Sequence, residues 1–163
     1  MGGWVVGWLS GWFGGRILAM GSSDGGYLPI EETVLFRTFV EVGACCWELV
    51  CAWPRLAQDT LGKQLVRAVD SVGANLAEGD GRYGLSDSIH YVVIARSSAR
   101  EAKYWINLAL CRSLVGEDQA HEMLRKLDDA SKSLSRLITS RRQRGKASSS
   151  VRESAAGYGL VEE

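Results

Sequence analysis

The stretch QLVRAVDSVGANLAEGDGRY, residues 64–83, decides the fold of this chain. Its apolar residues recur at three- and four-residue steps as far as Leu76, which is the pattern of an amphipathic helix. Small residues crowd its later half: Ala68, Ser71, Gly73, Ala74 and Ala77. A helix with so many small side chains lets another element approach its backbone closely. The charged, glycine-rich end that closes with Arg82 predicts a turn into the next helix.

Four helices are predicted, because no segment shows the sustained period-2 alternation of a strand. Their predicted ranges are Glu31 or Thr33 to Ala52, Gln58 to Glu78, Ser86 to Leu114, and from just after Gly116 to Ser140. Pro54 stops the first helix, Gly79 ends the second as a left-handed cap, and Ser86 caps the third. The short connections require antiparallel neighbours. The predicted fold class is therefore all-α, an up-down-up-down antiparallel four-helix bundle.

The bundle is expected over residues 31–142, between two segments of different composition. Residues 1–30 form a Gly/Trp-rich extension whose apolar run is shorter than the about 20 residues that a membrane helix needs. It also lacks a positive charge before Trp4, which a signal peptide requires. We interpret it as a poorly ordered extension or as translation from an upstream start, with Met20 the true start. The Ser/Gly/Ala-rich tail, residues 143–163, is predicted to be disordered.

The spacing of the cysteines and histidines, and the absence of catalytic motifs, argue against a metal site, a cofactor site and an active site. The net charge is zero, but residues 1–60 carry three Lys/Arg and six Asp/Glu, whereas residues 61–145 carry fourteen and ten. The four cysteines lack CxxC spacing and the two histidines lack a matching partner; these residues are Cys45, Cys46, Cys51, Cys111, His90 and His121. We expect free thiols in a reducing cytoplasm, with no metal and no cofactor. No nucleophile elbow or dinucleotide fingerprint occurs, so we expect no enzymatic activity.

The turn after the second helix has a superficial likeness to a phosphate-binding loop. A P-loop follows a strand and ends in Gly-Lys-Ser/Thr, whereas this turn follows a helix and lacks the lysine. We interpret it as a structural turn that includes Gly79 and Gly81, in which Glu78 and Arg82 form an ion pair or bind backbone groups. Asn75 is expected to cap or bridge backbone across the same turn.

The third predicted helix has two faces that are each expected to pack against another element. A heptad seam of mostly small residues is predicted to pack on the second helix: Tyr91, Ala95, Ser98, Ala102, Trp105 and Ala109. Glu101 lies beside this seam and is expected to pair with Arg67 or Arg82, because a half-buried carboxylate needs a cation. Apolar residues also flank the far side, namely Ile89, Val92, Val93, Ile106 and Leu110. These, with Phe36, Trp47 and Trp53 of the first helix, predict self-association.

A basic stripe opposite the seam is the one feature with a functional interpretation. It comprises Arg96, Arg100 and Lys103, and Lys63 and Arg67 on the outer side of the second helix bring the set to five cations. Such a surface would bind a phosphate backbone in a salt-dependent manner. A second cluster stands at the end of the fourth helix: Arg136, Arg141, Arg142 and Arg144. The alternative is a solvated face that Asp70, Glu101 and the acidic N-terminal part balance.

The spacing Asn-x-Ala-Glu-Gly-x-Gly-Arg, residues 75–82, resembles the signature of the four-helix-bundle family that includes the 23S rRNA intervening-sequence proteins. The accessory protein of diversity-generating retroelements is a more distant relative. The resemblance covers roughly residues 36–142, and Trp53-Pro54 and Gln64-Leu65 also carry it. It implies a bacterial bundle that forms a ring-shaped homopentamer. The retroelement relative further implies binding to nucleic acid and to a reverse transcriptase.

Two functions follow as hypotheses. The first is a non-enzymatic, oligomeric bundle that binds RNA or DNA through the five cations. The second is a protein–protein interaction scaffold without nucleic-acid binding. A third, weaker idea is membrane association through Trp4, Trp8 and Trp12.

Overall fold

The structure is a computed structural model that describes the backbone of residues 28–157 and the side chains of residues 28–147. It contains four long helices: α1 Val34–Cys51, α2 Lys63–Asp80, α3 Leu85–Cys111 and α4 Glu117–Gly157. A 3₁₀ turn at Ile30–Glu32 precedes α1, and a short helical turn with a π-helical segment, Arg55–Ala57 and Gln58–Gly62, leads into α2. No strand occurs in this part of the chain, so the all-α prediction is confirmed.

The helices pack in a cycle, and each one contacts its neighbours in antiparallel register. Between α3 and α4, Ser88 meets Arg141, Arg96 meets Ser135 and Lys103 meets Asp128, so the contacts run in opposite directions along the two helices. Between α1 and α2, the backbone at Gly43 lies against Val69 and Asp70, and Val50 lies against Gly62. The chain therefore forms the predicted up-down-up-down bundle.

Local signals account for the boundaries of α1. The Thr33 hydroxyl accepts a hydrogen bond from the backbone N–H of Phe36 at 3.2 Å, which caps the helix. After α1, Pro54 begins a new helical turn. The indole N–H of Trp53 donates to the Leu114 carbonyl at 2.7 Å, and Trp53 is buried. Trp53 therefore belongs to the core of the bundle. We had counted it among the excess apolar residues that would favour self-association, and that prediction is wrong for Trp53.

Gly79 does not act as a left-handed cap, contrary to the sequence prediction. No described glycine has a positive φ, and α2 continues through Gly79 to Asp80. A Cβ at Gly79 would lie 2.8 Å from the Cβ of Tyr91 and 3.1 Å from the Ser88 carbonyl oxygen. Gly79 is therefore required because the backbone of α3 approaches it closely, and the small residues of α2 belong to the same close contact.

The buried face of α3 is rotated from the predicted seam. Its buried residues are Ser88, Val92, Ala95, Ser98, Ala99, Ala102, Ile106 and Ala109. Tyr91 and Trp105 are only partly buried, at the edge of this face, while Val92 and Ile106 lie in the core. The helix also begins after Gly84 rather than at Ser86. Since α3 packs against both α2 and α4, its second apolar face has a partner within the chain and does not require another copy.

The fourth helix is longer than predicted. It begins at Glu117, as expected after Gly116, but continues to Gly157 instead of ending at Ser140. At 1.5 Å per residue, α4 is about 60 Å long and α3 about 40 Å. Ile30 is buried in the core, so the described bundle extends beyond both ends of the predicted range. Other expectations for the N-terminal extension fall on residues 1–27, outside the described part.

Candidate nucleic-acid interface

The α2–α3 turn is pinned by side chains, as the sequence predicts. Arg82 forms an ion pair with Glu78 one helical turn earlier. The Arg82 guanidinium also donates to the Tyr91 hydroxyl at 2.8 Å and lies 4.9 Å from the centre of that ring. The backbone N–H of Gly81 donates to the Ala77 carbonyl at 3.1 Å. These contacts hold the turn to both helices.

A polar network next to the turn links α2, α3, α4 and the 3₁₀ turn that precedes α1. The Arg141 guanidinium lies 3.2 Å from an Asp80 oxygen, and both side chains are only 12% exposed. Arg141 also donates to the Ser88 hydroxyl at 2.5 Å, and that hydroxyl donates to the Gly79 carbonyl at 2.6 Å. The other Asp80 oxygen accepts from the backbone N–H of Ile30 at 3.0 Å. Arg141 is therefore an internal structural residue, although the sequence placed it in an exposed basic cluster.

Two of the predicted structural residues have other partners. The Asn75 amide donates to the Ser71 carbonyl at 2.6 Å, so it binds its own helix and does not bridge the turn. Glu101 is exposed and accepts from the Trp105 indole N–H at 3.3 Å. Its predicted pairing with Arg67 or Arg82 is wrong, because the rotation of α3 leaves its carboxylate in water, where it needs no cation.

The basic stripe of α3 lies along α4 instead of facing open solvent. Arg96 is partly buried, and its guanidinium lies 3.4 Å from the Ser135 hydroxyl. Lys103 pairs with Asp128 and keeps only 30% of its side chain exposed. Arg100, between them, is exposed. Two of the three residues of the predicted stripe are thus used for contact between the helices.

The two cations predicted on α2 do not join this stripe. Lys63 is exposed and binds Asp59 at 3.0 Å, and this hydrogen bond holds the pKa of Asp59 below its usual range. Arg67 is exposed on the outer side of α2. Because Arg96 and Lys103 turn toward α4, on the far side of α3 from α2, the five predicted residues do not form one continuous surface.

The later part of α4 carries an uncompensated positive charge. Between Asp129 and Glu153 the sequence has seven basic residues and no acidic one. Lys132 binds Asp129 and Arg141 binds Asp80. The remaining cations with described side chains are exposed and have no carboxylate partner within residues 28–147: Arg136, Arg142, Arg144 and Lys146. We call residues 130–147 the basic segment of α4.

The first part of α4 differs from the basic segment in its charge balance. Arg125 binds Glu122 at 2.9 Å and lies 3.8 Å from Asp129, while Lys126 lies 3.7 Å from Glu122. Positive and negative side chains therefore neutralise one another there. Among the described side chains of α4, only those of the basic segment leave positive charge for a partner. The sequence prediction named three of its four free cations and omitted Lys146.

The cysteines and acidic residues provide no metal site in the described residues, where no group of three His, Cys, Asp or Glu side chains converges. All four cysteines are free, and only Cys46 is buried. Burial, with smaller contributions from the charges of Cys45 and Asp70, raises the pKa of the Cys46 thiol to about 12. No helix of the described part is long and apolar enough to span a bilayer.

Comparisons with known proteins identify relatives of this bundle. A family model described as 23S rRNA-intervening sequence protein matches residues 34–136. The fold is also similar to the crystal structure of a protein of unknown function from the S23 ribosomal protein family of Bacteroides thetaiotaomicron, with a TM-score of 0.58 and 23% identity. That match covers 64% of this chain and 98% of the other. No curated protein matches the chain.

Proposed function

Because the chain belongs to the 23S rRNA-intervening sequence protein family, we propose that it is a non-enzymatic bundle protein that binds the phosphate backbone of RNA or DNA. We assign this binding to the basic segment of α4, together with Arg100 on the adjacent face of α3. The proposal therefore moves the interface from α2 and α3, where the sequence predicted it, to α3 and α4.

The observation that carries the proposal is the set of exposed cations without partners in the basic segment. A cation that already pairs with a carboxylate gains little from a phosphate, because the existing ion pair must first be broken. Arg136, Arg142, Arg144 and Lys146 have no such pair among the described side chains. Exposed arginines can bind a phosphate through two parallel hydrogen bonds, and each contact releases a counterion from the nucleic acid.

Because α3 packs against α4, the positively charged surface of the basic segment continues from α4 onto α3. In the antiparallel register, Arg96 meets Ser135 and Lys103 meets Asp128. Arg100 lies between Arg96 and Lys103, so it stands opposite the start of the basic segment. Exposed positive charge therefore continues from α4 onto α3, and a phosphate backbone that follows α4 also reaches Arg100.

Charge reversal in the basic segment tests the proposal. The double variant Arg136→Glu, Arg144→Glu should lower the affinity for a fluorescent RNA by about tenfold or more at low salt. Its plot of log affinity against log salt should be shallower by about 1.5, since two phosphate contacts are lost. Arg125→Glu is the matched control, because Arg125 is exposed on the same helix but already neutralised by Glu122 and Asp129.

Fluorescence anisotropy measures these affinities, and circular dichroism checks that helicity is unchanged. Equal losses in the double variant and in the Arg125→Glu control would remove the basic segment as the interface. Absence of binding by the unmodified protein at low salt would overturn nucleic-acid binding itself.

A protein–protein scaffold is the second candidate function, and exposed aromatic residues favour it. Trp47 on α1 is 61% exposed and Tyr104 on α3 is 58% exposed. Trp is enriched at the centres of protein interfaces. A scaffold role predicts no binding to RNA or DNA at any salt concentration, together with loss of a protein partner on Trp47→Ala.

The family resemblance supports three further proposals about the setting of this function. These are assembly into a homopentamer, action in the cytoplasm, and association with a reverse transcriptase as in the retroelement relatives. The mass of the native particle tests the first, because a monomer would contradict it. The packing of α3 within the chain gives self-association no separate support, since α4 covers the apolar face on which we had based it.

A further inference from the structure

The α2–α3 turn ends in a tyrosine whose side chain lies entirely in solvent. Tyr83 is 109% exposed, more than any other large apolar or aromatic side chain of the described residues. A single exposed aromatic residue needs no explanation by itself. Its significance depends on how rigidly the residue is presented and on the charges that surround it.

The backbone that carries Tyr83 is fixed on both sides. The preceding residue, Arg82, is tied to Glu78 and to the Tyr91 hydroxyl. The following residue, Gly84, accepts a hydrogen bond from the backbone N–H of Ser88 at 2.9 Å and begins α3. A ring presented from a fixed turn loses little conformational freedom when a ligand stacks on it.

The basic segment of α4 lies beside this turn. Arg141 binds Ser88 and Asp80, and the backbone at Gly145 is so close to Leu85 that a Cβ would lie 2.7 Å from the Leu85 Cδ2 atom. Leu85 is two residues from Tyr83. Contacts thus link α4 to the helix ends on both sides of the turn.

Two cations of the basic segment lie to one side of this contact. Arg142 and Lys146 lie about 60° and about 100° around the helix from Gly145, and both are exposed. They therefore stand beside the point where α4 touches Leu85, two residues along the chain from Tyr83.

Five acidic residues also occur near the turn, and two of them are paired with arginines. Asp80 binds Arg141 and Glu78 binds Arg82. Asp87 is exposed at the start of α3, and Glu31 and Glu32 are exposed in the 3₁₀ turn next to Ile30. The cations closest to the Leu85 contact, Arg142 and Lys146, are free of carboxylate partners among the described side chains.

We propose that Tyr83 stacks on an unpaired nucleobase of single-stranded nucleic acid, while Arg142 and Lys146 bind the adjoining phosphates. The inference rests on the proposed function and deepens it by naming the form of nucleic acid. An exposed aromatic ring beside a basic track is how proteins hold unpaired bases, whereas the bases of a duplex are stacked on one another and offer no free face. The site therefore prefers single strands or unpaired loops.

The test compares a single-stranded RNA of about 12 nucleotides, within the usual range of site sizes, with a duplex of equal length. Tyr83→Ala should lower the affinity for the single strand by about tenfold and leave the affinity for the duplex unchanged. Tyr83→Phe should retain the affinity, because stacking needs the ring and not the hydroxyl. Tyr104→Ala is the matched control, since Tyr104 is exposed about 30 Å away along α3.

A second probe separates stacking from charge. A single strand of the same length with abasic sites keeps its phosphates and loses its bases. It should bind the unmodified protein about as weakly as the ordinary strand binds Tyr83→Ala, and Tyr83→Ala should not weaken it further.

The outcomes distinguish this inference from the proposed function. If Tyr83→Ala binds the single strand as tightly as the unmodified protein does, while Arg136→Glu, Arg144→Glu weakens binding, stacking is wrong and backbone binding stands. An equal loss for the single strand and the duplex also refutes stacking. If the unmodified protein binds neither probe at low salt, both proposals fail.

Discussion

Replacement of Gly79 by alanine measures how closely α2 and α3 approach each other. A Cβ at this position would lie 2.8 Å from the Tyr91 Cβ and 3.1 Å from the Ser88 carbonyl oxygen. Neither atom can rotate away, because the first is attached to the backbone and the second belongs to it. The backbone of α3 must therefore move. Overpacking of this kind costs about 1–3 kcal/mol, and the higher helix propensity of alanine offsets about 1 kcal/mol of that cost.

Gly73 provides a matched control on the same helix. A Cβ there would meet its nearest neighbours, atoms of the Phe36 ring, at 3.8 Å, which is ordinary van der Waals contact. Gly73→Ala should therefore stabilise the protein by about 0.5–1 kcal/mol through helix propensity alone. Gly79→Ala should instead destabilise it, by up to about 2 kcal/mol, which is the overpacking cost less the propensity gain.

Denaturant unfolding followed by circular dichroism measures both changes in the free energy of unfolding. The variants must be compared at equal protein concentration, because association would otherwise alter the apparent stability. The close-approach explanation would be refuted if Gly79→Ala were as stable as Gly73→Ala. A loss in both variants would indicate that α2 resists alanine for a reason other than its contact with α3.

Two further predictions concern buried groups. Asp80→Ala should lower the free energy of unfolding by about 3 kcal/mol, because it leaves the buried Arg141 charge unpaired; Asp129→Ala, which breaks exposed pairs, should cost less than about 1 kcal/mol in the same unfolding assay. The Cys46 thiol, with its pKa raised from 9.0 to about 12, keeps its proton in the folded state where the unfolded chain loses it. The stability difference between the unmodified protein and Cys46→Ala should therefore be constant below pH 9 and fall by about 1.4 kcal/mol per pH unit above it. Equal pH profiles for the two proteins would contradict this.

The sequence predicted several local features of the fold correctly. The start of α1 near Thr33, the break at Pro54 and the start of α4 at Glu117 are as expected. The ion pair between Glu78 and Arg82 is also correct, because it joins residues one helical turn apart. Such features depend on neighbours within a few residues along the chain, and their chemistry can be read from the sequence.

The errors concern contacts between distant parts of the chain. Hydrophobic periodicity shows that α3 has two apolar faces, but not whether α4 or a second copy covers the outer one. This is why Arg96 and Lys103 appeared to be free cations, although they bind α4. The pair Asp80 and Arg141 was missed for the same reason, since no local pattern joins residues so far apart in sequence.

The sequence by itself determined the all-α class, and residues 64–83 predicted a close-packing helix and a pinned turn at its end. The tertiary structure decided why the glycine is there. Gly79 is needed because the backbone of α3 approaches it closely, and not because its own backbone is left-handed. The tertiary structure also left Tyr83 in solvent and brought the basic segment of α4 against the helix ends on both sides of the turn that carries it. A sequence specifies the chemistry of each side chain, but the rotation of one helix against its neighbours depends on the packing of the whole core, and that rotation decides which charges and rings remain available to a partner.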